Sequence, residues 1–581
     1  MLKLGALLLG TAVLLSLPIS ALAAPFAGRV VEFRQPDGST VQVRLFGDEL
    51  YMRGESLDGY TLVRDPDSGW LCYAGESKGA LVSTGVPYVG GVLPPSFARI
   101  AGERHRDVSP EARRAIAVAN RLRLRGGDVR PMLTKEVIGD VKGLVIVVDF
   151  EDVPATAELA AYESMFDDYD YTEYGNLCSV SRFYDEASGG LVSLQHEVFG
   201  IYRAPNTFAE YDAMPYAEGA MEILQGALEW VDSTGFDFST LTTWEDGGGD
   251  EYISSIDLVY TGAPAAWAEG MWWHSGWYTG FSADGVTTTS YACGGADEPL
   301  SAFMPMHENG HMIFWWPDLY LYENYDACTI RSFCVMGGWQ DDWNPAPPNP
   351  FFRYTAGWLA FEEITGEAGT WTAQANEAPV YKWENPAYPA EYFLVQARAK
   401  TGFSVGIPDE GLTIWRIDEN GDNQAWPQTP ENHFQVDLVH ANDLPTEMNG
   451  SCYHAGYVDE LGPDTSPGSG WWDGGDSGLR VHSVSETGST MTFSTGDVDT
   501  DTDTDTDTDT DADTDTDTDA DTDADSDADA DTETDTAAPA GGSSDDGCGC
   551  RAVGGGRTGS LLGAIAPTAA RPPSSGERTT R

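Results

Sequence analysis

Residues 303–320 read FMPMHENGHMIFWWPDLY, and within them His307 to His311 form the pattern H-E-x-x-H. Side chains four residues apart lie on the same face of a helix, so two imidazoles at this spacing can bind one metal ion. Glu308, beside the first histidine, can reach water at that ion and act as a general base. The apolar residues on both sides of the motif favour a buried helix over a solvated one. The stretch therefore predicts an active-site helix that binds zinc.

A third metal ligand is expected soon after this helix, because a zinc hydrolase uses three protein ligands and keeps a fourth position open. Pro317 marks the point where the chain leaves the helix, and Asp318 directly after it is the favoured candidate. His274, in a Trp-rich stretch, is a rival, although a lone histidine among aromatic residues is more often a packed core residue. Glu323 and Asp326 are lesser rivals.

The acidic composition excludes nucleic acid as a partner. The 581 residues include 32 Lys and Arg against 93 Asp and Glu, a formal net charge of −61. Binding of nucleic-acid phosphates needs clustered Lys and Arg side chains, and the chain contains few of them. Much of the negative charge lies in residues 497–545, where acidic residues alternate mostly with Thr or Ala. Such sequence cannot bury apolar area, so we expect a disordered spacer, with weak Ca²⁺ binding as the alternative.

The N-terminus predicts export, and the C-terminal tail suggests attachment to the cell surface. Residues 1–24 have the form of a signal peptide, with Lys3, an apolar run and the cleavage site Ala21-Leu22-Ala23. No transmembrane span is expected in the mature protein. Residues 546–581 contain Cys548 and Cys550 and resemble a degenerate form of the Cys-containing surface-sorting tags of some Gram-negative bacteria. We therefore expect a secreted protein, with the tail as a means of attachment to the cell surface.

Four regions are predicted between these ends. Residues 25–105 hold short alternating runs separated by turn residues, which indicates a β-rich pro-region. Residues 106–138 form a basic linker that is open to proteases. Residues 139–365 alternate between strand and helix and form the catalytic domain, and residues 366–496 return to strands and turns as a C-terminal β-domain. The predicted fold class is α/β (α+β), with a disordered acidic tail.

Hydrophobic periodicity predicts the elements around the motif. A nearly continuous apolar run indicates a buried strand, whereas apolar residues at helical spacing that end at a glycine pair indicate a helix. The predicted strands are 141–150, 191–202 and 256–260, and the predicted helices are 179–187, 217–231 and 299–314.

The cysteines suggest two further hypotheses, because export permits disulfides. Cys328 and Cys334 can close a short loop beside the metal site. Cys72 can bind the zinc as a thiolate before the pro-region is removed, although a buried or disulfide-bonded cysteine is the alternative.

The chain resembles the immune inhibitor A family of secreted metallopeptidases, which is metzincin-like. The resemblance covers roughly residues 25–496 and rests on several segments together. These are H-E-x-G-H at 307–311, P-D-x-Y at 317–320, a Met-containing turn at 334–339, and the stretches 144–150, 181–188, 411–419 and 471–479.

The resemblance implies a metzincin-like fold and a role for each matching residue. Zinc would be held by His307, His311 and Asp318, with Glu308 as the general base and Met336 as the floor of the site. The family also often carries structural calcium, for which the sequence indicates no particular ligands.

One departure from the family pattern concerns the turn after the helix. The family usually has a glycine there and places its Pro-Asp pair one residue closer to the second histidine. Here Phe314, Trp315 and Trp316 occupy the segment, and no glycine supplies a positive φ. The placement of Asp318 therefore depends on how this turn is made.

The favoured function is that of a secreted zinc endopeptidase that hydrolyses peptide bonds of extracellular proteins. Its substrates would be proteins or peptides, and its cofactor Zn²⁺, with structural Ca²⁺ in addition. Two alternatives stay open: a catalytically defective, peptidase-like binding protein, and a Ca²⁺-binding surface or adhesion protein. The intact His307, Glu308 and His311 favour the enzyme, since a scaffold has no need of that trio.

Overall fold

The computed structural model describes most of the chain between residues 26 and 497. Within these residues the structure is mixed α and β with more strand than helix, as the sequence predicts at the level of fold class. The signal-peptide segment, the acidic spacer from residue 498 on, the Cys-containing tail, Glu323 and Asp326 lie outside the described residues. The described ranges are 26–47, 51–65, 68–77, 80–91, 104–109, 112–113, 116, 135–245, 249–262, 270–295, 299–321, 327–338, 341–424, 427–445 and 447–497.

The first part of the chain forms an antiparallel sheet of six strands in chain order, here called the N-terminal sheet. In its second strand exposed and buried side chains alternate, because successive side chains of a strand point to opposite faces. The β-rich character predicted for this region is confirmed. The strands are β1 (Phe26–Arg34), β2 (Thr40–Gly47), β3 (Met52–Ser56), β4 (Thr61–Arg64), β5 (Leu71–Ser77) and β6 (Ala80–Pro87).

The sheet beside the H-E-x-x-H motif has five strands in the order β12-β15-β11-β7-β8. Four of them run parallel, and β12 pairs antiparallel with β15 at the edge. The strands are β7 (Gly139–Asp149), β8 (Val192–Arg203), β11 (Ile256–Tyr260), β12 (His274–Trp277) and β15 (Ser290–Gly295). A smaller sheet, in the order β13-β14-β10-β9, contains β9 (Thr243–Glu245), β10 (Glu251–Ile253), β13 (Ser282–Ala283) and β14 (Val286–Thr287).

Six α-helices of the described residues lie between residues 159 and 355, in the part of the chain that also forms this five-stranded sheet. Sequence signals explain the second of them: the Ser179 hydroxyl accepts from Arg182 N–H at its start, and Gly189 ends it with φ 68°. The helices are α1 (Leu159–Asp167), α2 (Val180–Ser188), α3 (Phe208–Asp212), α4 (Glu218–Ser233), α5 (Phe303–Phe314) and α6 (Pro350–Thr355).

Each strand and helix predicted around the motif is present, with small shifts of its ends. The largest shift is at α5, which begins at Phe303 rather than at residue 299. The buried Asn176 side chain accounts for this difference, because its amide donates to Leu300 O and its carbonyl accepts from Ala302 N–H. These bonds hold the preceding segment outside the helix.

Two further sheets form the C-terminal region. The first, in the order β16-β18-β19-β20-β21, contains β16 (Phe361–Glu363), β18 (Val380–Glu384), β19 (Glu391–Arg398), β20 (Gly411–Asp418) and β21 (Val436–Leu438). The second, in the order β17-β23-β22, contains β17 (Gly369–Gln374), β22 (Val481–His482) and β23 (Thr490–Thr495). Trp415 and Leu438 of the first sheet belong to the same hydrophobic cluster as Val145 of β7, so this sheet packs against the region that carries the motif.

None of the described helices combines the length and the apolar composition that crossing a membrane requires.

Candidate metal centre

Helix α5 carries both histidines of the motif, and the turn after it brings Asp318 to them. His307 Nε2 and His311 Nε2 lie 3.2 Å apart. Asp318 Oδ1 lies 3.2 Å from each of these two nitrogens. His307 and Asp318 are buried. The three predicted ligand atoms therefore form a nearly equilateral triangle, and theirs is the one group of three such side chains that converges within the described part of the chain.

The second ring nitrogen of each histidine faces a backbone carbonyl. His307 Nδ1 lies 2.9 Å from Val335 O, and His311 Nδ1 lies 2.6 Å from Trp316 O. A carbonyl can only accept, so each Nδ1 carries the proton and each Nε2 presents a lone pair. Outer contacts of this kind fix the ring orientation of metal-binding histidines.

The donor set fits a zinc ion. Four tetrahedral ligand atoms at about 2.0–2.1 Å from zinc lie about 3.3–3.4 Å from one another, close to the spacing of the triangle. Two imidazole lone pairs and a carboxylate oxygen are all acceptors, so without a cation they repel one another. Burial raises the pKa of Asp318, but His311 and His307 outweigh burial when they take up the positive charge as protons at Nε2 and donate to the carboxylate, and they then hold its pKa well below its usual range. Asp318 is therefore a carboxylate, which a cation at this point stabilises.

The turn after α5 is made without a glycine. Trp315 adopts the left-handed conformation, with φ 60° and ψ 27°, and its N–H donates to Gly310 O. Trp316 N–H donates to the same carbonyl at 3.1 Å. The left-handed conformation costs a residue with a side chain about 1–2 kcal/mol. This strained turn accommodates the extra residue and still delivers Asp318 to the histidines.

Trp316 is fully buried below the turn. Its ring stacks on Phe314 at 4.7 Å and on Phe352 at 5.3 Å between ring centroids. Trp358 meets it edge-on at 5.4 Å. The Trp316 ring thus anchors the chain between His311 and Asp318. The backbone carbonyl of the same residue orients the His311 ring.

Met336 lies beneath the site, as the resemblance implies. A Cβ added to Gly310 would lie 2.5 Å from Met336 Sδ, so the sulfur packs against the helix between the two histidines. Met336 O accepts from Leu319 N–H at 2.9 Å, and the carbonyl of the preceding residue accepts from His307. The segment around Met336 therefore supports both the first histidine and the loop that carries Asp318.

Glu308 follows His307 on α5 and lines a small gap of about 10 Å³ between this helix and the five-stranded sheet, which Asp257 and Cys293 also line. Burial raises the pKa of Glu308 to about 8, the Asp318 and Asp257 carboxyls add to the rise, and the imidazole of His307 opposes it. A hydrogen bond with the Ser275 backbone favours the carboxylate. A divalent cation at the triad favours it further.

His274 is a packed core residue and does not belong to the metal centre. It is 1% exposed in β12, with Nδ1 against Trp272 O and Nε2 2.6 Å from the Tyr291 hydroxyl. Both nitrogens are thus engaged. Burial lowers the pKa of His274 to about 4, so the ring is neutral at pH 7. The alternative prediction, that His274 is the third metal ligand, is therefore wrong.

The cysteine hypotheses gain no support. Cys72 is buried in β5, where burial raises the pKa of its thiol, and it does not join the converging ligands. The idea that its thiolate binds the zinc is therefore wrong. Cys328 Sγ accepts from Leu321 N–H, and Cys334 Sγ accepts from the Asn349 amide. These two sulfurs lie in different hydrophobic clusters and do not close the predicted loop.

Sequence reasoning missed the outer supports of the site. Gly310 gave a signal, since a glycine inside a helix usually marks a close approach. Asp257 also gave one, because an acid within a buried apolar strand is unusual. The carbonyls of Val335 and Trp316 gave none, since any residue type supplies a carbonyl. No second group of three His, Cys, Asp or Glu side chains converges in the described ranges, so the calcium expectation stays without ligands here.

A comparison with models of known protein families found no match for the chain, and no curated protein matches it either.

Proposed function

We propose that the chain is a zinc-dependent endopeptidase of the immune inhibitor A type, with a metzincin-like catalytic domain, that acts on extracellular proteins or peptides. The observation that carries the proposal is the triangle of His307 Nε2, His311 Nε2 and Asp318 Oδ1, each 3.2 Å from the other two. The backbone carbonyls at the two Nδ1 atoms support it, because they fix both histidines in the tautomer that binds metal.

Zinc held by the three ligands would supply Lewis-acid chemistry, which acidifies water and polarises a peptide carbonyl. Glu308 then has the part of general base: it takes a proton from the attacking water and returns it to the leaving amine. A hydrogen bond with the Ser275 backbone holds this carboxylate beside strand β12. The buried setting limits bulk water, which strengthens each of these electrostatic contacts.

The edge strand β12 offers a place for an extended substrate. Within the described residues β12 pairs on one side only, with β15, and Ser275 of β12 contacts the general base. An extended peptide can add to such an edge through main-chain hydrogen bonds, which are independent of side-chain sequence. This arrangement supports proteins or peptides as the substrate class.

Zinc content and casein hydrolysis of three variants test the proposal. Glu308→Ala should keep stoichiometric zinc and lose about 10²–10⁴-fold in rate, because only the proton transfer is removed. Asp318→Ala should lose zinc affinity by more than about 100-fold, since even outer contacts of a ligand account for about 10–100-fold. His482→Gln is the matched control, because His482 lies in β22 of another sheet and should change neither quantity.

Each failure has a separate meaning. An unmutated chain that takes up no zinc would overturn the metal site and with it the enzyme. Zinc uptake without hydrolysis, after removal of the N-terminal sheet by cleavage, would favour a peptidase-like binding protein instead. Hydrolysis at an unchanged rate in the Glu308→Ala protein would show that Glu308 is not the general base.

A further inference from the structure

The strained turn at Trp315 is held from outside by Lys135, the residue with which the described range 135–245 begins. Lys135 Nζ lies 5.5 Å from the ring centroid of Trp244 and 5.7 Å from that of Trp315. The two indole rings meet edge-on, 5.4 Å apart. Lys135 N–H also donates to Phe314 O at 3.1 Å. Backbone and side chain of one residue therefore both contact the end of α5.

The ammonium group lies against aromatic rings. Burial lowers the pKa of Lys135 to about 8, and no acidic neighbour among the described residues opposes this effect. The faces of indole rings attract a cation most strongly of all the side-chain rings, and the attraction grows when the cation is partly removed from water. The ammonium group, which contacts both Trp244 and Trp315, therefore favours one placement of the Trp315 ring.

The placement of Trp315 matters because the next residues of the chain build the metal centre. Trp316 presents its carbonyl to His311 Nδ1 at 2.6 Å. Asp318 comes two residues later, with Oδ1 3.2 Å from both histidines. A glycine at the turn adopts a positive φ without strain, whereas a tryptophan there needs contacts that offset the strain.

We propose that Lys135 is a positioning residue of the metal centre: its ammonium, placed against both the Trp244 and Trp315 rings, keeps the turn in the conformation that brings Trp316 O and Asp318 to the metal. The inference rests on the proposed zinc site and deepens it. Lys135 belongs neither to the H-E-x-x-H motif nor to the three proposed ligands, so this role in metal binding is additional to theirs.

A consequence concerns the removal of the N-terminal sheet. Beyond Lys135 the chain stays fixed, since Val137 N–H donates to Ala356 O at 3.2 Å and Val137 O accepts from Trp358 Nε1 at 2.9 Å. Cleavage that removes Lys135 would release the turn. A mature enzyme with full zinc affinity therefore has to begin at or before this residue.

The test measures the zinc dissociation constant of the full chain by competition with a chromophoric chelator. Lys135→Met removes the charge and keeps most of the stem, and zinc affinity should fall about tenfold, the range known for outer contacts of metal ligands. Lys135→Arg should restore it, because a guanidinium also binds indole faces. Lys142→Met, at a surface lysine 2.7 Å from Glu197, is the matched control and should have no effect.

A double-mutant cycle shows whether Lys135 acts through Trp315. Trp315→Gly relieves the strain and removes the ring, so Lys135→Met should change zinc affinity less than about twofold in that background. Thermal unfolding of the metal-free proteins separates positioning from general stability, and kcat against KM is measured on the zinc-loaded forms.

Three results would overturn the inference. They are equal zinc affinity of the Lys135→Met and Lys142→Met proteins, an equal loss with and without Trp315, and a loss of metal-free stability with unchanged zinc affinity. An unmutated chain that binds no zinc fails at an earlier point, and there the proposed function falls first and this inference with it.

Discussion

Gly310 and Met336 form a direct contact beneath the two histidines. A Cβ at position 310 would lie 2.5 Å from Met336 Sδ, a distance that real Cβ atoms do not keep, and 3.3 Å from the Trp316 ring, which is a tight contact. Met336 is fully buried, so its side chain has no solvent to move into. Packing therefore favours a glycine at this position of the motif, whereas the histidines are the ligands of the proposed metal.

Gly310→Ala should destabilise the protein by about 1–3 kcal/mol, the usual cost of an extra methyl group in a full core. The same clash displaces the helix from the segment around Met336, so zinc affinity should fall as well. Chemical denaturation with and without zinc measures both effects. Met336→Ala in the same chain makes room for the new methyl group, so the double variant should recover part of the loss. A single variant as stable as the unmutated protein would contradict the packing argument.

Strand β11 places an acid at the centre of the five-stranded sheet. Asp257 is 2% exposed, and burial raises its pKa to about 7. The Asn309 amide of α5 faces this carboxyl, but the Asn309 side chain completes no hydrogen bond of ordinary geometry. Ser255 Oγ lies 3.5 Å away, at the limit for such a bond. The strand thus carries a poorly compensated polar group next to the motif helix, which costs stability when it ionises.

Asp257→Asn should therefore make the metal-free protein more stable at pH 8 and leave it unchanged at pH 3. In the unfolded chain the acid ionises near 3.8, whereas in the folded protein it holds its proton up to about 7. The folded state thus binds more protons between these values, so stability falls as pH rises through that window. The shift corresponds to at most about 4 kcal/mol. Denaturant unfolding at several pH values measures it.

Asp149, at the end of the neighbouring strand β7, is the matched control with the opposite sign. Burial raises its pKa, but hydrogen bonds from Arg203 and the Ala155 backbone outweigh burial and lower it. Asp149→Asn should therefore reduce stability at pH 8, where the unmutated carboxylate is paired. Similar pH profiles for the two variants would contradict this argument, because both carboxyls are buried and the pairing of Asp149 with Arg203 is what should reverse the sign.

The N-terminal sheet packs against the metal-centre side of the molecule. Val43 and Tyr88 of this part of the chain share one hydrophobic cluster with Trp272, Tyr320 and Leu321. Trp272 comes just before the edge strand β12, and Tyr320 and Leu321 come shortly after Asp318. Burial of apolar area between these parts stabilises their contact. The prediction that residues 25–105 act as a pro-region requires a contact of this kind.

The basic linker begins against the N-terminal sheet and ends against the catalytic region. His105 N–H donates to Gly59 O at 2.8 Å, and its ring lies 2.9 Å from a Glu55 carboxylate oxygen. Arg106 O accepts from the Thr61 hydroxyl at 2.6 Å. At the other end, Lys135 bonds to Phe314 O. A cut between residues 114 and 134 would thus separate the two parts without breaking these contacts.

Limited trypsin digestion should cut between residues 114 and 134 and raise casein hydrolysis by about tenfold or more, because a docked sheet leaves only a small fraction of the sites open. N-terminal sequencing gives the position of the cut, and size-exclusion chromatography under mild denaturant shows release of the sheet. The uncut control replaces arginines of this segment by glutamine, namely Arg114, Arg121, Arg123 and Arg125. Full activity of the uncut chain would contradict the prediction that the N-terminal sheet acts as an inhibitory pro-region.

Local sequence determined the elements and the ligand types. Apolar periodicity located the strands and helices around the motif, because burial of one face or of a whole strand leaves a pattern in neighbouring residues. The spacing of His307 and His311 set two ligands on one helix face, and Pro317 marked the turn before the third. These features depend on residues close in sequence, so the sequence alone carries them.

Tertiary structure decided which of the possible ligands converge and what supports them. His274 is not a ligand because both of its ring nitrogens contact other groups, Trp272 O and the Tyr291 hydroxyl. Asp318 reaches the histidines because Trp315 adopts a left-handed conformation, which no turn rule predicts for a tryptophan. The carbonyls that orient the histidines come from any residue type and leave no mark in the sequence. Contacts between distant segments depend on the whole packing of the core, and local patterns do not record which distant surfaces meet.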